Sequence, residues 1–253
     1  MRIHSLSQEG KFMIIPMDHG TTLGPIKGLT DINWMVREVD LGGATAVLLH
    51  KGMMKLLQQV PSCGMIMHGS ASTSLSPNPN SKVLVADVLE AVRLGAAAFS
   101  IHVNLGSKND KEMLIDLGNV SQTCENYQIP LLAMIYIRSP KISVVTPKML
   151  AHAARLGAEL GADIIKVSYT GDPDTFSQVV EGCPVPVIIA GGPKYESDLE
   201  LLTMVEGAMK AGAAGVALGR NVFQHPNPRA MVAAVRQIVI NQTPASKAIT
   251  KLL

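Results

Sequence analysis

Eight short aliphatic runs recur along the chain, most of them followed by a longer amphipathic stretch. This rhythm constrains the fold more than any other feature. The runs are 12–17 (FMIIPM), 44–49 (ATAVLL), 64–68 (GMIMH), 98–103 (AFSIHV), 131–135 (LLAMI), 163–168 (DIIKVS), 186–190 (PVIIA) and 214–218 (AGVAL). Unbroken apolar runs of this length read as parallel strands covered on both faces. Helix-like stretches cover 30–41, 82–94, 108–127, 147–160, 198–211 and 228–241, with weaker ones at 51–60 and 172–181. Four helices enter the next strand through a glycine and small residues: DLGGATAVL, RLGAAAFSI, ELGADIIKV and KAGAAGVAL. Glycine there predicts a left-handed helix end that lets the strand start close by.

Repeated βα units with no Pro/Gly/Ser-rich linker predict one α/β domain spanning 1–253. Eight units in this length fit a closed (β/α)8 TIM barrel better than an open doubly wound sheet. The turn-rich segment 70–81, SASTSLSPNPNS, predicts a loop at the barrel mouth.

Composition narrows the function. Apolar residues make up 47% and charged residues 17%, which excludes a disordered chain. Aromatics are only 4%, so Val, Ile, Leu, Ala and Met must build the core. A net charge of +2 with no long like-charge run gives no broad field for nucleic acid. No stretch reaches the roughly 20 apolar residues of a membrane span. The N-terminus MRIHSLSQEGKF is polar, without a signal-type segment before the first strand. The three cysteines, Cys63, Cys124 and Cys183, are odd in number and lack CxxC spacing. A reducing, cytoplasmic setting is expected.

All eight strands deliver a polar or glycine signal to their C-terminal ends, the face that forms a barrel's active-site mouth. These are Asp18-His19-Gly20, His50-Lys51, His68, His102 with Asn104, Tyr136 with Arg138, Lys166, Gly191-Gly192 and Gly219-Arg220. Polar groups near a core cost free energy unless paired, so packing alone gives little reason for them.

Lys166 is the sharpest residue. On a half-exposed strand a lysine is an ordinary surface group. Within DIIKVS, covered on both faces, it must point into the barrel top. Burial disfavours the charged form of an amine, and the neutral amine attacks carbonyls to give a Schiff base. The turns IAGGPK and LGRNVF are each expected to open a helix and to offer backbone N–H groups to a phosphate, with Arg220 adding forked donors. Either could be only a tight turn. Two on adjacent strands favour phosphate. Asp18 is placed to orient a substrate hydroxyl or move a proton, and Tyr136 to exchange protons with a carbon beside the imine. A turn cap and a rim packer are their plainer readings. His68 and His102 read as hydrogen-bonded barrel residues, and no HxxxH or HExxH spacing marks a metal site. No metal or cofactor is expected.

The blocks PMDHGTTLGPIKGL, SIHVNLGS, AHAARLGAELGADIIKVSYTGD, VIIAGGPK and GVALGRNVFQ resemble the class I aldolases of the archaeal fructose-bisphosphate aldolase type. The similarity runs from about residue 10 to 240 and is strongest to their synthase branch, which builds a seven-carbon amino sugar acid. It implies a Schiff base on Lys166, a proton-transfer Tyr136 and an acid/base Asp18. Substrate and phosphate contacts would fall on His19, Gly20, Thr21, Thr22, Ile137, Arg138, Gly191, Gly192, Gly219 and Arg220. Lys51, at the second strand's end, is a further candidate contact.

The implied substrates are a phosphorylated ketose or dihydroxyacetone phosphate as donor and L-aspartate semialdehyde as acceptor, on a route toward aromatic or aminobenzoate-type precursors. Plain fructose-bisphosphate cleavage is the alternative, and a non-catalytic phosphosugar-binding barrel a remoter one. The resemblance also implies a homo-oligomer, often a decamer. After the fifth strand the synthases read close to MYPRG where this chain reads IYIRS. The segment that follows, PKISVVTP, is more apolar than the family's charged loop.

Overall fold

The structure, a computed structural model, describes residues 2–252. Eight parallel strands close into a barrel. They are β1 (Phe12–Pro16), β2 (Ala46–Leu49), β3 (Gly64–His68), β6 (Ala98–Leu105), β7 (Leu131–Ile137), β8 (Ile164–Ser168), β9 (Val187–Ala190) and β10 (Gly215–Ala217). Around the barrel they run β1-β10-β9-β8-β7-β6-β3-β2. The two remaining strands, β4 (Ser70–Ala71) and β5 (Val83–Leu84), pair antiparallel above the mouth. The eight expected strands and the closed barrel are all present.

The glycine steps act as expected. Gly43, Gly95, Gly161 and Gly212 have φ of 91°, 74°, 91° and 89°. Each ends a helix in the left-handed region that glycine enters without a Cβ clash.

Alternation along the strands builds two cores. One residue set packs outward against the helices: Met13, Ile15, Val47, Ile165 and Val167 belong to it. The other fills the barrel: Ile14, Leu48, Ile66, Leu132, Met134, Ile164 and Ile188. Its floor is closed by the N-terminal turn Arg2–Leu6, whose Leu6 is fully buried among the barrel residues. The polar N-terminus had shown no such plug.

The segment 82–94 departs from its expected helix. Val83 and Leu84 pair with Ala71 and Ser70. The helix begins only at Val88, where Asp87 accepts the Glu90 N–H and caps the first turn. The aspartate satisfies an otherwise orphaned donor and so decides the start. IAGGPK also fails to open a helix: the next one starts at Asp198, behind a Ser197–Glu200 capping box. LGRNVF does open one, of four residues, Arg220–Phe223. Among the described residues no helix is long and apolar enough to cross a membrane.

Candidate active site

The two-residue period of β8 puts Ile164, Lys166 and Ser168 on its inner side, with Ile165 and Val167 outside. Lys166 is 6% exposed and pairs in register with Met134 of β7 and Ile188 of β9. Above this apolar layer the mouth holds a cavity of about 520 Å³. Asp18, Tyr136 and Lys166 all line it. Three residues far apart in sequence thus share one chamber.

Among the described residues the one group within bonding range of Lys166 Nζ is the Met134 Sδ, 3.8 Å away, and no carboxylate stands within ion-pair distance. A buried amine is normally paired. This one is left facing the cavity. The Tyr136 ring is flanked by His102, with centroids 5.0 Å apart, and by the Arg138 guanidinium, 5.4 Å from its centroid.

Asp18 follows β1 and faces three imidazoles. His19 Nδ1 is 3.5 Å from Oδ1, and His68 Nε2 is 3.7 Å from Oδ2. His50 lies beside His68, the ring centroids 5.2 Å apart and the planes tilted by 59°. Burial alone would raise the Asp18 carboxyl. The facing His68, His19, Lys166 and His50 outweigh it and hold the group well below the usual carboxylate range. Burial pushes His68 down to about 3 against the pull of Asp18, and lowers His19, His50 and His102 as well. At neutral pH Asp18 is therefore a carboxylate among neutral imidazoles. His68 and His102 are hydrogen-bonded, as expected: Nδ1 of His68 to Ser100 Oγ at 2.7 Å, and Nε2 of His102 to Asn104 Oδ1 at 2.9 Å.

The glycine turns after β9 and β10 are stitched together. Arg220 Nη2 donates to Gly192 O at 3.0 Å, and Asn221 Nδ2 donates to Gly191 O and Pro193 O. A Cβ on Gly219 would sit 2.6 Å from the His19 ring, so only glycine lets that ring and turn meet. Gly191, Gly192, Gly219 and Arg220 all line the cavity, as do His19, Thr22 and Arg138.

Four sequence candidates stand apart. Thr21 Oγ1 donates to Asp18 O and lies 3.1 Å from His50 Nε2; it is exposed outside the cavity lining, as is Gly20. Ile137 faces away from the barrel and lines a neighbouring surface groove, because it follows inward-facing Tyr136 by one residue. Lys51 Nζ is 3.0 Å from Glu90 Oε2 and outside the cavity lining. The amine that sequence reasoning missed is Lys82, which lines the cavity from the β4–β5 connection. Its only sequence signal was a lysine at the end of a turn-rich loop.

A family model for the DeoC/LacD family aldolases matches residues 12–225. The 2-amino-3,7-dideoxy-D-threo-hept-6-ulosonate synthase 1 of Archaeoglobus fulgidus is 46% identical over 242 residues, 94% of this chain and 89% of that protein. The 2-amino-4,5-dihydroxy-6-oxo-7-(phosphonooxy)heptanoate synthase of Streptomyces griseus is 38% identical over 243 residues, covering 95% and 88%. A solved structure of a Schiff base forming fructose-1,6-bisphosphate aldolase superposes with a TM-score of 0.89 at 31% identity, covering 94% of this chain and 98% of that one. The chain belongs to the DeoC/LacD family of aldolases and is a class I aldolase.

Proposed function

We propose that this aldolase joins a three-carbon ketone, carried as a Schiff base on Lys166, to L-aspartate semialdehyde. The Lys166 amine, facing the cavity with only the weak acceptor Met134 Sδ in reach among the described residues, carries this reading. The relatives' product names supply the bond. In 2-amino-4,5-dihydroxy-6-oxo-7-(phosphonooxy)heptanoate the C4 hydroxyl lies β to the C6 ketone. Cutting C4–C5, the aldol bond, leaves dihydroxyacetone phosphate and L-aspartate semialdehyde. The same cut in the deoxyheptulosonate leaves the same acceptor and a donor fragment with a methyl in place of the phosphate carbon.

The Lys166 amine adds to the donor ketone, and loss of water gives the protonated imine. A proton leaves the adjacent carbon by exchange through the Tyr136 hydroxyl, and the enamine forms. Its carbon attacks the aldehyde. The C–C bond forms, the aldehyde oxygen takes a proton, and water releases the ketone product and the free amine. Asp18, a carboxylate, accepts hydrogen bonds from substrate hydroxyls and takes the hydroxyl proton as the product carbinolamine separates into ketone and amine, passing it to the leaving nitrogen. The glycine turns and Arg220 hold the donor phosphate.

The experiment is borohydride reduction with dihydroxyacetone phosphate followed by intact mass and peptide mapping, then addition of L-aspartate semialdehyde. An adduct on Lys166 and a seven-carbon product are expected. No adduct with any phosphorylated ketone overturns the covalent reading, and efficient cleavage of fructose 1,6-bisphosphate without semialdehyde use moves the assignment to that sugar.

Homo-oligomer formation belongs to the same proposal. Trp34, Leu56 and Val60 are exposed apolar groups on one side of the barrel, which a second copy would cover. Sedimentation velocity tests it, and a monomer at micromolar concentration would reject it.

A further inference from the structure

Around the barrel β3 and β6 stand four places from β9 and β10, so they lie across the mouth from the phosphate turns. The segment joining β3 to β6 carries Lys82. It is clamped where it lies. Thr22 Oγ1 donates to Ser72 O at 3.2 Å, Asn104 Nδ2 donates to Asn80 O at 2.8 Å, and Ser70 Oγ accepts the His102 N–H at 3.0 Å. Lys82 Nζ donates to Ser72 Oγ at 2.6 Å, and that hydroxyl in turn donates to Pro79 O at 2.8 Å. An ammonium has three donors. Lys82 spends one, and among the described residues no carboxylate stands within ion-pair distance of the other two. They open on the cavity, whose lining holds four basic side chains, Lys82, Arg138, Lys166 and Arg220, against the single carboxylate of Asp18.

Position selects the partner. The phosphate belongs at the glycine turns with Arg220. The two free Lys82 donors lie on the far side of the same cavity, which Arg138 also lines, and a carboxylate is the group that two ammonium donors and a guanidinium hold best. Clamping makes this end specific, because a preset donor loses little freedom on binding.

We infer that Lys82 sets acceptor specificity by binding the carboxylate of the incoming semialdehyde, opposite the donor phosphate. The inference rests on the synthase reading and names the group that selects its acceptor.

The test compares wild type, Lys82→Met and Lys82→Arg with dihydroxyacetone phosphate as donor. The acceptors are L-aspartate semialdehyde, succinic semialdehyde, butanal and glyceraldehyde 3-phosphate. In Lys82→Met, kcat/KM for both carboxylated aldehydes falls about 10- to 100-fold, the range for losing one charged hydrogen bond. Butanal changes less than about threefold and Lys82→Arg restores most of the loss. An equal fall with butanal marks a structural role and overturns the inference. A fall confined to glyceraldehyde 3-phosphate overturns it in favour of a second phosphate site. Calorimetric binding of L-homoserine against L-homoserinol, which lacks the carboxylate, reads the same site without turnover. Homoserine affinity that drops in Lys82→Met supports the inference even if no adduct forms on Lys166, and affinity that stays overturns it even if the adduct forms. Absence of the adduct instead counts against the synthase reading.

Discussion

His68 turns its Nε2 toward Asp18 Oδ2 at 3.7 Å while Ser100 Oγ holds its Nδ1 at 2.7 Å. With His68 neutral, the Ser100 hydroxyl donates to Nδ1 and the ring proton sits on Nε2, aimed at the carboxylate. The protein thus turns a neutral N–H, not a further cation, toward Asp18.

This arrangement makes stability depend on pH. Burial drives His68 to about 3, whereas the unfolded chain protonates histidine near 6.5. His19, His50 and His102 are lowered in the same direction. Between about 6.5 and 3 the unfolded state binds more protons, so stability falls as pH falls through that window. Asp18, held below the usual carboxylate value of 3.8, adds a further loss beneath that pH. Thermal unfolding from pH 7.5 to 4.5 is expected to show a falling Tm, with a shallower slope in His68→Asn. Equal slopes would show that His68 carries none of the effect.

Lys166→Met is expected to abolish borohydride trapping and yet to raise the Tm. The amine sits 6% exposed in an otherwise apolar layer beside Met134 and Ile188, and an apolar side chain of similar length removes a buried polar group whose one partner is the weak acceptor Met134 Sδ. A gain of about 1 kcal/mol corresponds to about 2–4 °C in a chain of this size. A lower Tm by calorimetry would mean that Lys166 is structural.

Tyr136→Phe separates imine formation from proton transfer. Its hydroxyl has no hydrogen-bond partner among the described residues, and its ring stays held by His102 and Arg138. Turnover is expected to fall about 10²–10⁴-fold, as for loss of a general acid–base group. The Lys166 adduct should still form. Exchange of the donor α-hydrogen into deuterated water, followed by NMR, reads the step directly, and unchanged exchange would assign the proton to another group.

Arg220→Gln tests the donor end. Arg220 bridges to Gly192 O and lines the cavity, so the variant loses one fixed charge beside the paired glycine turns. The KM for dihydroxyacetone phosphate is expected to rise about 10- to 100-fold, with little change for hydroxyacetone. A parallel rise for both ketones would place Arg220 outside the phosphate site.

The strands, their order of appearance, the glycine helix ends and the inward face of Lys166 were legible in the amino-acid sequence, because each depends on neighbours within a few residues. A buried strand has period two, and a left-handed helix end favours glycine, whatever lies across the barrel. The same local rule places Ile137 outward once Tyr136 is inward, a consequence that the family resemblance overrode. The helix start at Val88 turned on Asp87, a cap one turn inside the expected span.

Other features came only from closure of the barrel. Sequence placed Lys51 at a strand end but could not show Glu90, 39 positions away, taking its ammonium. It showed His68 and Asp18 as separate strand ends, not as a facing pair. It left Lys82 inside an expected helix, whereas pairing of β4 with β5 and the clamps to Thr22 and Asn104 turn it into the cavity. Periodicity tells which way a side chain points. Which side chains then meet depends on strand order, register and the path of long loops, and those are decided by packing between segments far apart in the chain.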